Sequence, residues 1–117
     1  MEMIETPHRG EIWLVNLDPA IGAEIKKTRP AVIISNDLNN QYASTVTVLP
    51  ISDKGEKVYP FEVALPSGAG LIKESKVRCQ QIRTIDKIRL VKLLGRLEEE
   101  PLCQIQEALL LHLGINI

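Results

Sequence analysis

Lys26-Lys27-Thr28-Arg29-Pro30-Ala31-Val32-Ile33-Ile34-Ser35-Asn36 is the stretch on which the fold turns. Pro30 has no backbone donor, and it pushes the residue before it out of the helical region. The run that follows, Ala31 to Ser35, is apolar and rich in β-branched side chains. A strand is therefore expected to begin at Pro30 and to close in the turn residues Asn36-Asp37 and Asn39-Asn40. Arg29 then stands at a strand mouth beside two lysines. Binding residues concentrate on such loops, held by a rigid scaffold. A guanidinium that is never deprotonated suits phosphate recognition there.

Working outward, the same kind of signal repeats. Glu11 to Leu17 reads as a strand ending at Asp18-Pro19. Thr45 to Ser52 reads as another, with Pro50 marking an edge, a bulge or a strand near its end. Asp53-Lys54-Gly55 makes a turn, Val58 to Leu65 a strand, and Pro66-Ser67-Gly68 its stop. Leu71 to Arg83 holds a fifth strand. Ile88 to Leu97 makes a sixth after the polar turn Thr84 to Lys87. Short strands at regular spacing predict a mainly β fold, a small barrel or sandwich. The period then changes. Pro101 follows three glutamates at a helix start, and Leu102, Ile105, Leu109, His112 and Leu113 share one face up to Gly114. Leu110 and Leu111 widen the apolar arc. The helix either meets a second copy of the chain or is wholly buried within one, and both readings stay open.

The 117 residues make one expected domain, 1–117. With 44% apolar and 25% charged residues and a net charge of −1, the chain is no polycation. Any nucleic-acid footprint must be local. Basic residues do gather, as Lys26, Lys27 and Arg29 and as Lys73, Lys76, Arg78 and Arg83, whereas acids collect at Glu98-Glu99-Glu100. The acidic start Met1 to Glu5 reads as no signal peptide, and no apolar run is long enough for a bilayer. Cys79 and Cys103 form no metal spacing with His8 and His112, so a cytoplasmic protein with reduced thiols and no metal is expected. Neither histidine is tied to a motif near Arg29; His8 reads as a surface residue and His112 as helix packing. Trp13 and Phe61 read as core, leaving Tyr42 as the one exposed stacking ring, too few for an aromatic nucleic-acid platform.

Arg9-Gly10-Glu11-Ile12-Trp13, Asp18-Pro19, Gly22-Ala23-Glu24, Arg29-Pro30-Ala31-Val32-Ile33 and Ser35-Asn36 resemble the N-terminal half of the MazF/PemK (Kid) toxins. Pro60-Phe61-Glu62-Val63 and Val77-Arg78-Cys79-Gln80-Gln81-Ile82-Arg83-Thr84-Ile85-Asp86 are similar to later motifs of that family. The resemblance covers nearly the whole chain. It implies an SH3-like β-barrel with a C-terminal helix, a homodimer, and single-stranded RNA in a groove along the dimer interface. It further implies cofactor-free, metal-independent cutting to a 2′,3′-cyclic phosphate and a 5′-hydroxyl, and an antitoxin that blocks the groove.

Residue by residue, Arg29 resembles the family's catalytic arginine, acting by electrostatic stabilisation of the phosphate. Ser52 stands where a catalytic threonine is most frequent, and keeps the hydroxyl. Glu24 is a candidate proton acceptor or a partner orienting Arg29, and a solvated loop acid is the competing reading. Lys26 and Lys27 are expected to draw RNA in. Arg78 resembles an arginine of the Kid branch, where an aspartate often occupies the position of Gln80. Glutamine is no general base, so Gln80 and Gln81 are expected to read base edges instead, against the plainer reading of a polar strand face. Arg78 and Gln80 share a face if the fifth strand alternates regularly. Asn36 is either a base-reading amide or a turn residue. Base choice is expected to depend on the loops Lys54 to Lys57 and Gly68 to Gly70. Two readings from other classes remain. One is a non-catalytic toxin of the same barrel that binds a protein target such as gyrase. The other is an RNA-binding module that has lost catalysis, which Ser52 and Gln80 favour.

Overall fold

The alternation of apolar residues in three strands builds the centre of the molecule. In the computed structural model, which describes residues 5–116, β1 (Glu11–Asn16), β2 (Thr28–Ile33) and β3 (Thr45–Asp53) pair antiparallel. Trp13 faces Ala31, and Ala31 faces Pro50. The acidic start Met1 to Ile4 lies outside the described residues. β4 (Glu62–Leu65), β5 (Ser75–Arg78), β6 (Arg83–Asp86) and β7 (Leu90–Arg96) complete the sheet, in the order β4-β5-β3-β2-β1-β7, with β6 also on β3. Two helices are described, α1 (Asp37–Tyr42) and α2 (Glu99–Leu113).

Successive residues of β1, β2 and β3 point to opposite faces, so the sheet carries two cores. One face holds Ile12, Val32, Leu49, Ile51 and Val77, and α2 covers it with Ile105 and Ala108. The other holds Trp13, Val15, Ala31, Ile33, Val46 and Val48, with Ile85 from β6 and the partly buried Ile25 and Leu90 over it. Burying a side chain the size of Ile105 stabilises by roughly 2–3 kcal/mol. β4 and β7 remain the edges of the sheet, so the barrel is not closed by a ladder. It is closed instead by contact. A Cβ added at Gly95 of β7 would sit 2.1 Å from the Ala69 carbonyl oxygen, and one at Gly70 2.5 Å from that of Leu94. The loop after β4 is thus laid backbone to backbone against β7.

Several boundaries differ from the sequence reading, each for a local reason. β2 begins at Thr28, before the proline, because β3 pairs with β2 only from Ala31 onward. Pro30 therefore stands where the strand has a neighbour on one side, and Arg29 lies within β2, opposite Val15. Pro50 lies inside β3 between Val48, the last residue paired with β6, and Ile51, the first paired with β5. Its missing donor falls where β3 changes partners. The fifth strand is broken: β5 ends at Arg78, a short 3₁₀ turn spans Cys79–Gln81, and the expected polar turn at Thr84 is strand β6. The fourth strand is shorter than expected, because Val58 to Phe61 lie outside β4. Asn36 to Asn40 is not a turn but the start of α1: the Asn36 side chain accepts from the Asn39 N–H at 2.8 Å, an N-cap.

α2 follows its sequence signals. Glu99, Glu100 and Pro101 occupy its first turn, and Gly114 ends it at φ 71°, a left-handed angle that glycine adopts without cost. Leu102, Ile105 and Leu109 pack on the core as expected, joined by Ala108. Leu111, Leu113 and Ile115 stay exposed, so the helix is not wholly buried within one chain. His112 is exposed as well, its ring tilted against Phe61 at 6.0 Å. Phe61 is half-buried and stacks on Tyr59, whereas Trp13 is core as expected.

Candidate functional site

Arg29 and Ser52 line one cleft because of the β2–β3 register. The ladder ends at Ala31 facing Pro50, and two residues further the same register sets Arg29 toward Ser52. Both line one cleft of about 260 Å³, with Pro30, Ile51, Lys73 and the Gly70–Ile72 loop around them. Arg29 is half-buried, and its Nε donates to the Lys26 carbonyl at 2.9 Å. Among the described residues no carboxylate pairs with its guanidinium, nor with Lys26 or Lys27. The Ser52 hydroxyl donates weakly to the Asp53 carbonyl at 3.3 Å. Asp53 itself is tied to Lys73 at 2.9 Å.

Lys27 is held in an unusual shape. Its φ is 74°, its N–H donates to Asp18 Oδ1 at 3.0 Å, and its carbonyl accepts from the Leu17 N–H at 3.0 Å. The turn presents the Lys26 and Lys27 side chains to solvent. Glu24 does not join Arg29. Its carboxylate accepts from the Ile21 N–H at 2.9 Å, closing its own tight turn, and it lines a second cleft of about 220 Å³ with Pro50, Gln80, Gln81 and Arg83. The expected Glu24–Arg29 pair is thus replaced by a local loop bond.

The residues beyond Ser52 converge on an acid that the sequence reading did not single out. In the β3–β5 ladder Ser52 faces Lys76, and in the β4–β5 ladder Glu62 faces Arg78. The Glu62 side chain has no solvent exposure. Its Oε1 takes Lys76 Nζ at 3.0 Å and the Tyr59 N–H at 3.0 Å. Its Oε2 takes Gln80 Nε2 at 2.7 Å and lies 3.2 Å from Arg78 Nε, whose N–H is not aimed at it. Burial pushes the Glu62 carboxyl up, but the bonds from Gln80, Tyr59 and Lys76 prevail and hold it below the ordinary value. Its signal in the sequence was a lone acid, Glu62, at the start of the apolar β4, with Lys76 and Arg78 two apart on a neighbouring strand.

Regular alternation does not bring Arg78 and Gln80 together, since Gln80 lies in the 3₁₀ turn. Glu62 does so instead. Much of the basic cluster is internally engaged: Lys76 and Arg78 by Glu62, Lys73 by Asp53, and Arg83 by the Leu17 carbonyl at 2.7 Å. Gln81 faces the neighbouring loop, its Oε1 accepting from the Ile25 N–H at 3.3 Å and its Nε2 donating to the Ala23 carbonyl at 3.5 Å. Asn36, spent on its cap, lines a groove of about 600 Å³ with Arg9, Gln106 and Leu109, apart from the Arg29 cleft. Cys79 is buried, and that burial, with the Glu62 charge, pushes its thiol up to about 11, so it is no nucleophile. Among the described residues no three His, Cys, Asp or Glu side chains gather to hold a metal ion. No described helix is long and apolar enough to cross a membrane.

A cleft lined by a guanidinium without a carboxylate partner, a hydroxyl and the Lys73–Asp53 pair, with the exposed Lys26-Lys27 turn bonded to Arg29, is suited to a phosphodiester. Comparison with known proteins agrees in family. The model of PemK-like, MazF-like toxins of type II toxin–antitoxin systems matches residues 8–113. The endoribonuclease MazF9 of Mycobacterium tuberculosis is 44% identical over 113 residues, covering 92% of this chain and 96% of that protein. The endoribonuclease MazF of Staphylococcus epidermidis is 39% identical over 110 residues, 92% of each. The crystal structure of MazF from Deinococcus radiodurans superposes with a TM-score of 0.84 at 26% identity, over 96% of this chain and 100% of that one. An endoribonuclease from a Mycobacterial species, solved in complex with its cognate antitoxin, shares the fold with a TM-score of 0.79 at 23% identity, over 95% of this chain and 98% of that one. The chain belongs to the PemK-like, MazF-like toxin family of type II toxin–antitoxin systems.

Proposed function

We propose that this chain is a metal-independent endoribonuclease toxin that cuts single-stranded RNA at the cleft between Arg29 and Ser52. The observation that carries the reading is the pairing of those two residues in one cleft, with Arg29 unclaimed by any carboxylate among the described residues. In the proposed reaction the 2′-hydroxyl beside the scissile phosphate loses its proton and attacks phosphorus. The P–O5′ bond breaks, and the leaving oxygen takes up a proton. The products are a 2′,3′-cyclic phosphate and a 5′-hydroxyl. Arg29 offers a bidentate fork to the phosphate oxygens, whose charge grows in the transition state. Ser52 hydrogen-bonds the phosphate or the attacking oxygen and holds the attack in line. Glu24 is too far committed to its own turn to serve as the partner of Arg29, so its role here is to shape the second cleft. Lys26 and Lys27 attract the strand, and Arg78 and Gln80 bind it further along.

The test is incubation of the purified protein with mixed-sequence RNA and a chelator, beside Arg29→Ala and Ser52→Ala. The native protein is expected to cut, and either substitution to cripple it. Intact RNA from a folded native protein sinks the reading, and RNA binding without cutting favours the non-catalytic alternative. DNA, which lacks the 2′-hydroxyl, is expected to stay intact.

The cognate antitoxin is the proposed protein partner, supported by the relative solved with its own. A second copy of the chain is proposed to complete a homodimer, with the exposed Leu111 and Leu113 of α2 available to it. A reducing cytoplasm suits the two free cysteines. Copurification of a co-encoded small protein that suppresses cutting tests the first of these, and sedimentation the second.

A further inference from the structure

Ser52 stands between two cationic groups. The β2–β3 register, carried two residues past Ala31 and Pro50, sets Arg29 on one side of it, and the β3–β5 ladder sets Lys76 on the other. Arg78 is two residues on from Lys76 in β5 and so shares its face of the sheet. Both cations depend on one acid. Glu62 faces Arg78 across the β4–β5 ladder, its side chain wholly buried, with Lys76 Nζ at 3.0 Å and Arg78 Nε at 3.2 Å. Two positive charges against one negative leave the cluster with a surplus of one. That surplus is not evenly placed. The Lys76 side chain is 12% exposed and also donates to the Lys57 carbonyl at 2.9 Å. The Arg78 side chain is 31% exposed, and its two Nη groups make no bond among the described residues.

We propose that Glu62 is a positioning residue for RNA: it pins Arg78 beside Ser52 with the Nη edge of the guanidinium left free, as a second phosphate clamp that takes the phosphodiester next to the scissile one. The inference rests on the RNA-cutting reading above and gives it a second point of attachment. Arg29 and the β5 cations are two strand spacings apart, about 10 Å. A strand gripped at both ends of that span lies across Ser52, and two fixed phosphates keep the attacking and leaving oxygens in line. An unanchored arginine gives up rotamer freedom on binding that offsets much of the bond it makes. One already held by a buried carboxylate does not. As a bare charge Glu62 would weaken the grip on an anion, whereas as an anchor it strengthens it, so the two roles differ in sign.

The experiment removes one phosphate charge at a time. A 2′-O-methyl oligonucleotide, which cannot be cut through the 2′-oxygen, is taken as the tightest binder of a randomised pool. It carries a neutral methylphosphonate at each linkage in turn, and binding is measured by titration. In the native protein one linkage is expected to lose roughly tenfold through Arg29 and its immediate neighbour roughly tenfold through Arg78, as for a charged hydrogen bond. Arg78→Gln is expected to abolish the second sensitivity and spare the first, and Arg29→Gln to do the reverse. Glu62→Gln, although it removes a negative charge, is expected to reduce the second sensitivity to less than about threefold. Undiminished sensitivity in a folded Glu62→Gln overturns the positioning role. An Arg78→Gln that leaves every linkage as in the native protein overturns the clamp, as does an Arg78-dependent linkage that is not next to the Arg29-dependent one. Failure of the whole pool to bind overturns both this inference and the RNA reading. Cutting of ordinary RNA is scored separately: adjacent sensitivities without cutting sink the cleavage reading and leave the clamp supported, while cutting with no Arg78-dependent linkage overturns the clamp alone. A measurement on the native protein guards against a misfolded Glu62→Gln. The Arg78 Nε–H resonance, identified by its loss in Arg78→Gln, is expected to show in the free protein the order parameter of rigid backbone, about 0.85, and a value below about 0.6 overturns the anchoring.

Discussion

At the scale of single residues, Arg29 is the cation that the fold leaves free beside a hydroxyl. Removing one donor aimed at developing charge costs roughly a hundred- to a thousandfold in kcat. Arg29→Ala is expected to fall in that range, and Arg29→Lys to recover only part, since an ammonium has no bidentate fork. Ser52→Thr is expected to preserve cutting, while Ser52→Ala loses roughly ten- to a hundredfold; single-turnover kinetics on a labelled oligonucleotide separate these effects from binding. Glu62 matters to stability, as the buried partner of two cations. Leaving Lys76 and Arg78 without their buried partner costs about 3–5 kcal/mol, so Glu62→Ala is expected to lower the denaturant midpoint strongly at neutral pH. The pH dependence has a definite sign. The carboxyl is held below its ordinary value of 4.5 in the fold, so the unfolded chain binds that proton more readily. Its stabilisation is complete above the unfolded value and is lost as pH falls through the folded one. The gap between native and Glu62→Gln is therefore expected to shrink on acidification below 4.5, measured by urea unfolding across the range.

At the scale of elements, the strands were legible where apolar alternation was uninterrupted and illegible where a polar network took over. β1 and α2 could be read from Glu11-Ile12-Trp13-Leu14-Val15 and from the spacing of Leu102, Ile105 and Leu109. α1 could not, because its residues Asp37-Leu38-Asn39-Asn40-Gln41-Tyr42 carry turn chemistry, and the helix depends on the Asn36 cap and the buried Asn40. The break after β5 was hidden for a similar reason: the 3₁₀ turn is stabilised by the tertiary pull of Glu62 on Gln80, which no local pattern encodes. Arg29 and Ser52 were named from sequence, but their sharing a cleft is a matter of register, and Glu24 is kept from them by its own loop bond. The contact between β7 and the loop after β4 gives a test at this scale. A methyl at Gly95 would meet the Ala69 carbonyl at 2.1 Å, an overlap only backbone movement can relieve. Gly95→Ala is expected to cost about 1–3 kcal/mol, as overpacking does. Cutting should fall with it, since Gly70, Leu71 and Leu94 line the Arg29 cleft. Thermal melts paired with activity measurements check both halves.

At the scale of the whole molecule, the net charge of −1 means that the proposed RNA substrate is attracted through a local field. Counting the seven basic residues of the sequence clusters overstates that field, because Lys73 is paired with Asp53 and Lys76 and Arg78 share the single charge of Glu62. If Lys26, Lys27 and Arg29 make the phosphate contacts, the salt dependence for a single strand has a slope of about −2 in log–log form. A fourfold rise in salt is then expected to weaken binding by roughly ten- to twentyfold, and a much steeper titration would mean that the paired cations are released on binding. The closure of the sheet carries a different consequence. Where β7 meets the Ala69–Gly70 backbone the barrel is held by contact rather than by a ladder, and the loop's own Gly68–Leu71 bridge lies to one side of that line. A seam of this kind separates before the laddered strands do. Because the Arg29 cleft straddles it, the protein should fall silent on warming while its fluorescence and far-ultraviolet signals still report a folded chain. The temperature at which it stops working would be set by the seam, below the temperature at which it melts.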